Sequence, residues 1–145
     1  MIPIIIDTNI IYSAIYNEKG LERKLVDVAI ESDEIQLFAP TAFFDEIRRN
    51  LSKKLDFQKN TIDSFLAQLD VIEIRFEEYE PKITEARGLI PHENDVPFVA
   101  CSLLLNSPVW SGNENHFNAL NDSKEVLWFN SKRLLDFFKS EGLLK

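Results

Sequence analysis

Apolar residues in this chain follow two alternating patterns, which predict strands and helices in turn. Short branched or aromatic runs bounded by polar turns are typical of buried parallel strands. Stretches with apolar residues every three or four positions indicate amphipathic helices. The predicted strands are Ile2–Ile6, Gln36–Ala39, Val71–Ile74, Pro108–Ser111 and Val126–Phe129. The predicted helices are Ile10–Tyr16, Leu21–Glu31, Thr41 to about Leu55, Asn60–Leu69, Glu77–Gly88, Val96–Leu105 and Ser131–Glu141.

This order of elements predicts an α/β fold. Repeated strand–helix–strand units favour a central parallel sheet, here of about four to five strands, with helices on both faces. The chain has 145 residues, of which 45% are apolar, so we expect one domain over residues 1–145 with a single core. Ligands of open parallel sheets bind beyond the carboxyl ends of the strands. Candidate functional residues are therefore expected there.

Composition narrows the class of protein. Cys101 is the one cysteine, which excludes internal disulfides, zinc fingers and dithiol redox motifs and favours a reducing compartment. Neither a signal peptide nor an apolar run of roughly 20 residues is present, so we expect a cytoplasmic protein away from membranes. The net charge of −8 disfavours binding DNA along a broad surface. It is compatible with an enzyme whose clustered carboxylates bind metal ions.

Two acidic residues follow predicted strands. Asp7 comes directly after Ile2–Ile6, and we interpret it as a ligand rather than a helix cap, because Thr8 and Asn9 can supply the cap. Glu114 follows the strand that ends at Ser111. The alternative for Glu114 is an ordinary acid in a loop.

Two further acids lie on predicted helices. At 100° per residue, Glu46 borders the apolar stripe of its helix, whereas Asp45 lies on the solvent side. Asp95 precedes Val96-Pro97, a typical helix start, and the helix that follows is apolar nearly all round. Such a helix packs in the middle of the domain, which places its first turn near the sheet. A solvated glutamate and a simple helix cap are the respective alternatives.

Four acids from four segments are thus expected to converge on one crevice. Adjacent carboxylates repel one another and take up protons unless cations neutralise them. Two divalent ions carry +4, which matches four carboxylates. Oxygen ligands with few histidines favour Mg²⁺ or Mn²⁺ over zinc. Such clusters are typical of metal-dependent nucleases or phosphatases. The candidate ligands are Asp7, Glu46, Asp95 and Glu114.

Four segments of the chain resemble, in order, the motifs of PIN-domain ribonucleases, a family that includes the VapC-like toxins. They are Ile4-Ile5-Ile6-Asp7-Thr8-Asn9, Ala39-Pro40-Thr41-Ala42-Phe43-Phe44-Asp45-Glu46-Ile47, Glu93-Asn94-Asp95-Val96-Pro97-Phe98-Val99-Ala100 and Trp110-Ser111-Gly112-Asn113-Glu114-Asn115-His116-Phe117. The resemblance covers nearly the whole chain and implies a PIN-like domain. It also implies that Asp7, Glu46, Asp95 and Glu114 are the acidic positions.

The fourth motif departs from the family pattern. The family usually has Thr, a small residue, Asp, a variable residue and then an acid or His before Phe. With Phe117 as the anchor, Glu114 takes the place of the Asp, and its longer side chain shifts or weakens a second metal. If Asn113 is the fourth position instead, the cluster lacks one carboxylate. The first metal, held by Asp7 and Asp95, depends less on this choice.

The remaining polar residues have weaker signals. His92 and His116 flank the proposed site without a partner at metal-ligand spacing. Ser111 either orients Asp7, as the Thr of the family would, or bonds to the backbone. A basic cluster either steers RNA phosphates to the crevice or forms a solvated helix face; it consists of Arg48, Arg49, Lys53 and Lys54.

The resemblance implies a ribonuclease that hydrolyses RNA with one or two Mg²⁺ or Mn²⁺ ions. In that reaction water attacks phosphorus while the four acids hold the metals and the water. The role would be either the toxin of a toxin–antitoxin pair, with an antitoxin protein as partner, or RNA processing. Toxin-type relatives commonly form homodimers. The alternative is a PIN-fold module with an impaired site, which binds RNA or a protein without cutting.

Overall fold

A parallel sheet forms the centre of the molecule, as seen in a computed structural model that describes residues 1–54 and 58–144. Five strands, all paired in parallel, lie in the order β3-β2-β1-β4-β5. This confirms the predicted α/β class and the predicted sheet. The strands are β1 (Ile2–Ile6), β2 (Ile35–Pro40), β3 (Val71–Ile74), β4 (Val109–Trp110) and β5 (Trp128–Phe129).

Helices connect the strands. Short 3-10 turns occur at Glu80–Lys82, Glu93–Asp95 and Asn118–Asp122. The α-helices are α1 (Thr8–Tyr16), α2 (Leu21–Glu31), α3 (Thr41–Lys54), α4 (Lys59–Leu69), α5 (Phe76–Tyr79), α6 (Ile83–Leu89), α7 (Val96–Leu105), α8 (Glu114–Phe117) and α9 (Ser131–Ser140).

Strand order determines where a crevice opens. From β1 the chain moves outward through β2 to β3, and it then crosses back over the sheet to β4 and β5. Because such crossovers are right-handed, α1–α4 and α5–α7 lie on opposite faces of the sheet. The chain therefore leaves β1 and β4, which are neighbours, in opposite directions. This is the switch point at which open parallel sheets bind ligands.

Helix α7 lies at the centre of the fold, as its composition predicts. It packs against β1, β2 and β4, and Val99, Ala100 and Cys101 are fully buried. Its first turn consequently lies near the switch point. No helix within residues 1–54 and 58–144 is long and apolar enough to cross a membrane.

Some predicted boundaries were wrong. The first helix begins at Thr8 rather than Ile10, because Asp7 caps it. The helix predicted over Glu77–Gly88 is interrupted by a 3-10 turn at Pro81, which lacks a backbone N–H and disfavours a continuous α-helix. Strands β4 and β5 are shorter than predicted. The predicted end of the third helix, about Leu55, lies outside the described residues.

Candidate active site

Asp7 lies at the carboxyl end of β1, beside the end of β4. Its backbone N–H donates to the carbonyl of Trp110 at 2.9 Å, which continues the β1–β4 pairing. Its Oδ1 accepts from the Thr8 N–H at 2.8 Å, and its Oδ2 accepts from the Ser111 hydroxyl at 2.7 Å. Asp7 therefore caps α1 itself, and the expectation that Thr8 and Asn9 form the cap was wrong.

Burial raises the pKa of Asp7 to about 6. The hydrogen bonds from Ser111 and Thr8 lower that pKa, while the negative charges of Asp95 and Glu46 raise it. Asp7 is only 8% exposed, so water contributes little to stabilising its charge. A cation beside Asp7 would favour the ionised form.

Asp95 lies across the crevice, at the last residue of a 3-10 turn and directly before α7. Asp95 occupies the N-cap position of α7, but its side chain makes no capping hydrogen bond to that helix. Instead its Oδ2 lies 2.8 Å from Nδ1 of His116. Burial raises the pKa of Asp95, and His116 and His92 partly offset that rise. A second buried carboxylate thus faces the same crevice.

Glu46 lies on α3 with the helical orientation that the sequence predicts. Glu46 is partly buried, whereas Asp45 is exposed. The Tyr12 hydroxyl donates to the backbone carbonyl of Glu46 at 3.4 Å and accepts from Nδ2 of Asn50 at 2.7 Å. These contacts tie α3 to α1, and the charge of Glu46 is close enough to raise the pKa of Asp7.

Glu114 lies further out. It is the first residue of the short helix α8 rather than part of a loop; it is exposed, and its Oε1 accepts from Nδ2 of Asn130 at 3.3 Å. The carboxylates that raise the pKa of Asp7 are Asp95 and Glu46, not Glu114. Asn113 caps α8, with its Oδ1 accepting from the His116 N–H at 3.4 Å.

The acids do not form a ready-made coordination shell. Within the described part of the chain, no three or more His, Cys, Asp or Glu side chains are grouped so as to hold a metal ion. Nor does a lysine or arginine described here pair with Asp7 or Asp95. The crevice thus contains two buried carboxylates with raised pKa values and Glu46 within electrostatic reach.

Sequence reasoning gave too little weight to His116, which contacts Asp95 directly. Its ring also stacks on His92, with 3.6 Å between the ring centroids. The signal that could have found it is its place immediately before Phe117, where the motif has an acid or His. The interpretation that Ser111 orients Asp7 is supported by their hydrogen bond; Ser111 also accepts from the Asn113 N–H.

The basic cluster on α3 is exposed to solvent at the side chains that the structure describes. Arg48 lies 3.7 Å from Asp63, and both side chains are about half exposed. Arg49 and Lys53 are exposed as well, and the side chain of Lys54 lies outside the described residues. Its part in RNA binding remains a prediction.

A family model of the PIN domain matches residues 5–125. No curated protein matches the chain significantly. Among solved structures, the DNA-bound VapBC of Salmonella typhimurium aligns with a TM-score of 0.69 at 14% identity, covering 90% of this chain and 99% of that one. VapBC2 of Rickettsia felis, bound to a promoter DNA fragment, has a TM-score of 0.63, 18% identity and coverages of 89% and 98%. FitAcB of Neisseria gonorrhoeae has a TM-score of 0.62, 17% identity and coverages of 89% and 98%.

Proposed function

The chain belongs to the PIN domain family, and on this premise we propose that it is a divalent-metal-dependent endoribonuclease and the toxin of a toxin–antitoxin pair. The observation that carries the proposal is the pair of buried carboxylates, Asp7 and Asp95, at the switch point of the sheet. Isolated buried carboxylates are costly unless they are protonated or neutralised by a cation. Mg²⁺ or Mn²⁺ suits such oxygen ligands.

The carboxylate oxygens at this site are the type of ligand that a divalent metal ion requires. In this proposal Asp7 and Asp95 hold the ion, Glu46 and Glu114 complete its surroundings, and Ser111 fixes the orientation of Asp7 through their 2.7 Å contact. A divalent ion there would polarise a phosphoryl oxygen and stabilise the charge that develops during hydrolysis. For Glu114 to take part in metal binding, its side chain must rotate away from Asn130, whose amide donates a hydrogen bond to it in this structure.

The structural neighbours support the biological role that we propose. They are VapBC and FitAB structures and a toxin–antitoxin complex, several of them bound to DNA. We infer that this chain likewise pairs with an antitoxin, forms a homodimer and acts in the cytoplasm. With a net charge of −8, this chain is a poor binder of DNA on its own. The substrate that we favour is RNA, which would contact the protein mainly at the crevice that contains Asp7 and Asp95.

One observation favours a second candidate function. The described residues contain no preformed group of three metal-binding side chains, and Glu114 is engaged with Asn130. A PIN domain whose site has lost one ligand would bind RNA or a protein partner without cutting. Catalysis and this impaired module differ in whether Mn²⁺ binds and whether RNA is cleaved.

The deciding experiment measures cleavage of single-stranded RNA by the purified protein in Mg²⁺, in Mn²⁺ and in chelator, with single-stranded DNA of the same sequence as a control. We expect RNA cleavage only with metal. Asp7→Asn should reduce cleavage at least ~100-fold, since the metal contributes several kcal/mol to the transition state. Asp136→Asn, an exposed change on α9, should have no effect. Metal-independent cleavage, or equal rates for Asp7→Asn and the parent, would contradict the proposal.

A further inference from the structure

Two imidazole rings lie face to face beside the acidic crevice. His92 precedes the 3-10 turn that ends at Asp95, and His116 lies on α8. The ring centroids are 3.6 Å apart and the ring planes are inclined by 16°. Residues 24 positions apart in sequence therefore form a nearly parallel stack.

The stack leads outward from the acids to the solvent. At its inner end, Nδ1 of His116 lies 2.8 Å from Asp95, and the His116 side chain is 33% exposed. At its outer end, His92 is exposed. One face of the His92 ring is covered by His116. The stack thus joins Asp95 to the molecular surface.

An ion pair balances one negative charge beside the outer ring of the stack. The acidic residue next to His92 is Glu93, and it forms a bidentate ion pair with Arg87, with the shortest contact at 2.6 Å. The negative charge of Glu93 is therefore offset. Both partners are exposed, so the pair is a weak constraint that a phosphate could replace.

From these contacts we propose that His92, supported by His116, is a stacking subsite for an unpaired RNA base next to the scissile phosphate. Single-stranded RNA is recognised mostly through bases that stack on aromatic side chains, histidine among them. A phosphate at Asp95 leaves a neighbouring base within reach of the exposed ring. This inference rests on the proposed ribonuclease function and adds a site that binds a base of the substrate strand.

The competing explanation is that His92 only supports His116, which in turn positions Asp95. The two roles differ in what they require at position 92. Stacking an RNA base requires an aromatic ring, whereas packing against His116 requires only an apolar side chain of similar size. His92→Phe, His92→Leu and His92→Ala therefore separate them.

The experiment measures binding of a fluorescein-labelled, single-stranded RNA of mixed sequence by anisotropy, in Mg²⁺ and in the Asp7→Asn background that prevents cleavage. Each variant is first checked by its melting temperature. We expect His92→Phe to bind within about threefold of the parent. His92→Leu and His92→Ala should bind about 5- to 150-fold more weakly, the range for loss of one stacked base. RNA with one abasic nucleotide at the contacted position should bind all four proteins alike.

The outcomes separate this inference from the function on which it rests. If His92→Leu binds RNA as well as the parent and His92→Phe, the stacking subsite is wrong and His92 is a packing residue. If the Asp7→Asn parent does not bind RNA, the subsite is wrong, and RNA cleavage by the protein with Asp7 intact then shows whether the proposed ribonuclease function fails as well. If all three variants are equally weak, the imidazole has another role and stacking is again excluded.

Discussion

Asp7 and Asp95 are both buried carboxylates at the same crevice, yet the protein holds them in different ways. Asp7 continues a strand, and both of its oxygens accept hydrogen bonds, one from the backbone of Thr8 and one from Ser111, which is fully buried. Asp95 ends a 3-10 turn, and its Oδ2 contacts His116, which is one-third exposed. Two hydrogen bonds, from a backbone N–H and a buried hydroxyl, hold the Asp7 carboxylate, whereas the described contact of the Asp95 carboxylate is with the partly exposed ring of His116.

The difference has an energetic consequence. The hydrogen bonds from Ser111 and Thr8 offset only part of the effect of burial on Asp7, so its pKa is raised to about 6. The contact of His116 with Asp95 also offsets part of the cost of burial. We therefore expect Asp7 to determine how the stability of the metal-free protein depends on pH. We expect metal binding by Asp95 to be the more sensitive to substitution of a neighbouring side chain.

The largest expected effect concerns the stability of the metal-free protein against pH. The pKa of Asp7 is 3.8 ordinarily and about 6 in the fold. The folded state therefore keeps a proton that the unfolded chain releases. The contribution of Asp7 to the free energy of unfolding is fully present below about pH 4 and is lost as the pH rises through about 6. The total loss is about 3 kcal/mol.

Denaturant unfolding in chelator from pH 4 to 8 tests this. The Asp7→Asn variant should lack that loss, so its stability relative to the parent should rise by about 3 kcal/mol between pH 4 and pH 7. Other titrating groups are common to both proteins and cancel in the difference. Parallel pH curves for the two proteins would show that Asp7 is not the group held protonated.

Sequence could predict the Asp7 side of this comparison better than the Asp95 side. The strand Ile2–Ile6 and the acid that follows it are local features, and the strand order places them at the switch point. The helical orientation of Glu46 is likewise local, because it follows from 100° per residue. The strand Ile2–Ile6 and the helical orientation of Glu46 were predicted correctly, and the assignment of Asp7 and Glu46 to an active site stays a prediction.

What the sequence could not show depends on contacts between distant segments. The contact between His116 and Asp95 joins residues 21 positions apart, and no helical or strand period links them. Glu114 was placed by its position after a strand and by motif spacing, and neither can reveal that Asn130 would bind its side chain. Spacing along a chain predicts direction only within one element, so contacts across elements need the tertiary structure.

A second prediction compares the partners of the two acids through metal affinity. His116→Ala should weaken Mn²⁺ binding about 10- to 100-fold, which is typical when a ligand loses the group that orients it. Ser111→Ala should have a smaller effect, because Asp7 keeps the hydrogen bond from Thr8. Titration calorimetry measures both. A larger loss for Ser111→Ala would reverse the comparison.

A third prediction is that Glu46 interacts electrostatically with Asp7 rather than with Asp95. Its charge raises the pKa of Asp7 but is not among the causes that shift Asp95. Glu46→Gln should therefore lower the pKa of Asp7 by a fraction of a unit and leave that of Asp95 unchanged, as measured by NMR titration of the side-chain carboxyls. It should also weaken Mn²⁺ binding.

The neighbouring residue provides a matched control for Glu46. Asp45 precedes it on α3 and is exposed, so Asp45→Asn should change neither the pKa of Asp7 nor the affinity for Mn²⁺. Equal effects of the two substitutions would mean that α3 presents a different edge to the crevice.

The smallest expected effect is on the melting temperature of Asp95→Asn in chelator. Burial raises the pKa of Asp95, so the folded protein destabilises its charged form relative to the unfolded chain. The amide removes that charge, and its oxygen can still accept from Nδ1 of His116. No capping hydrogen bond is lost, since the Asp95 side chain makes none. The variant should melt about 2–4 °C above the parent, which corresponds to about 1 kcal/mol for a domain of this size.

Manganese should reverse that order if Asp95 binds the metal. An ion that binds only the native state stabilises it by mass action, so millimolar Mn²⁺ should raise the melting temperature of the parent more than that of Asp95→Asn. Interaction of Asp95 with the dipole of α7 predicts the opposite sign in chelator, a loss of about 0.3–1 kcal/mol in the variant. Melts of both proteins, in chelator and in Mn²⁺, distinguish the two roles. A variant that melts lower in chelator, with an unchanged response to Mn²⁺, would exclude Asp95 as a ligand and leave it only a structural role at the start of α7.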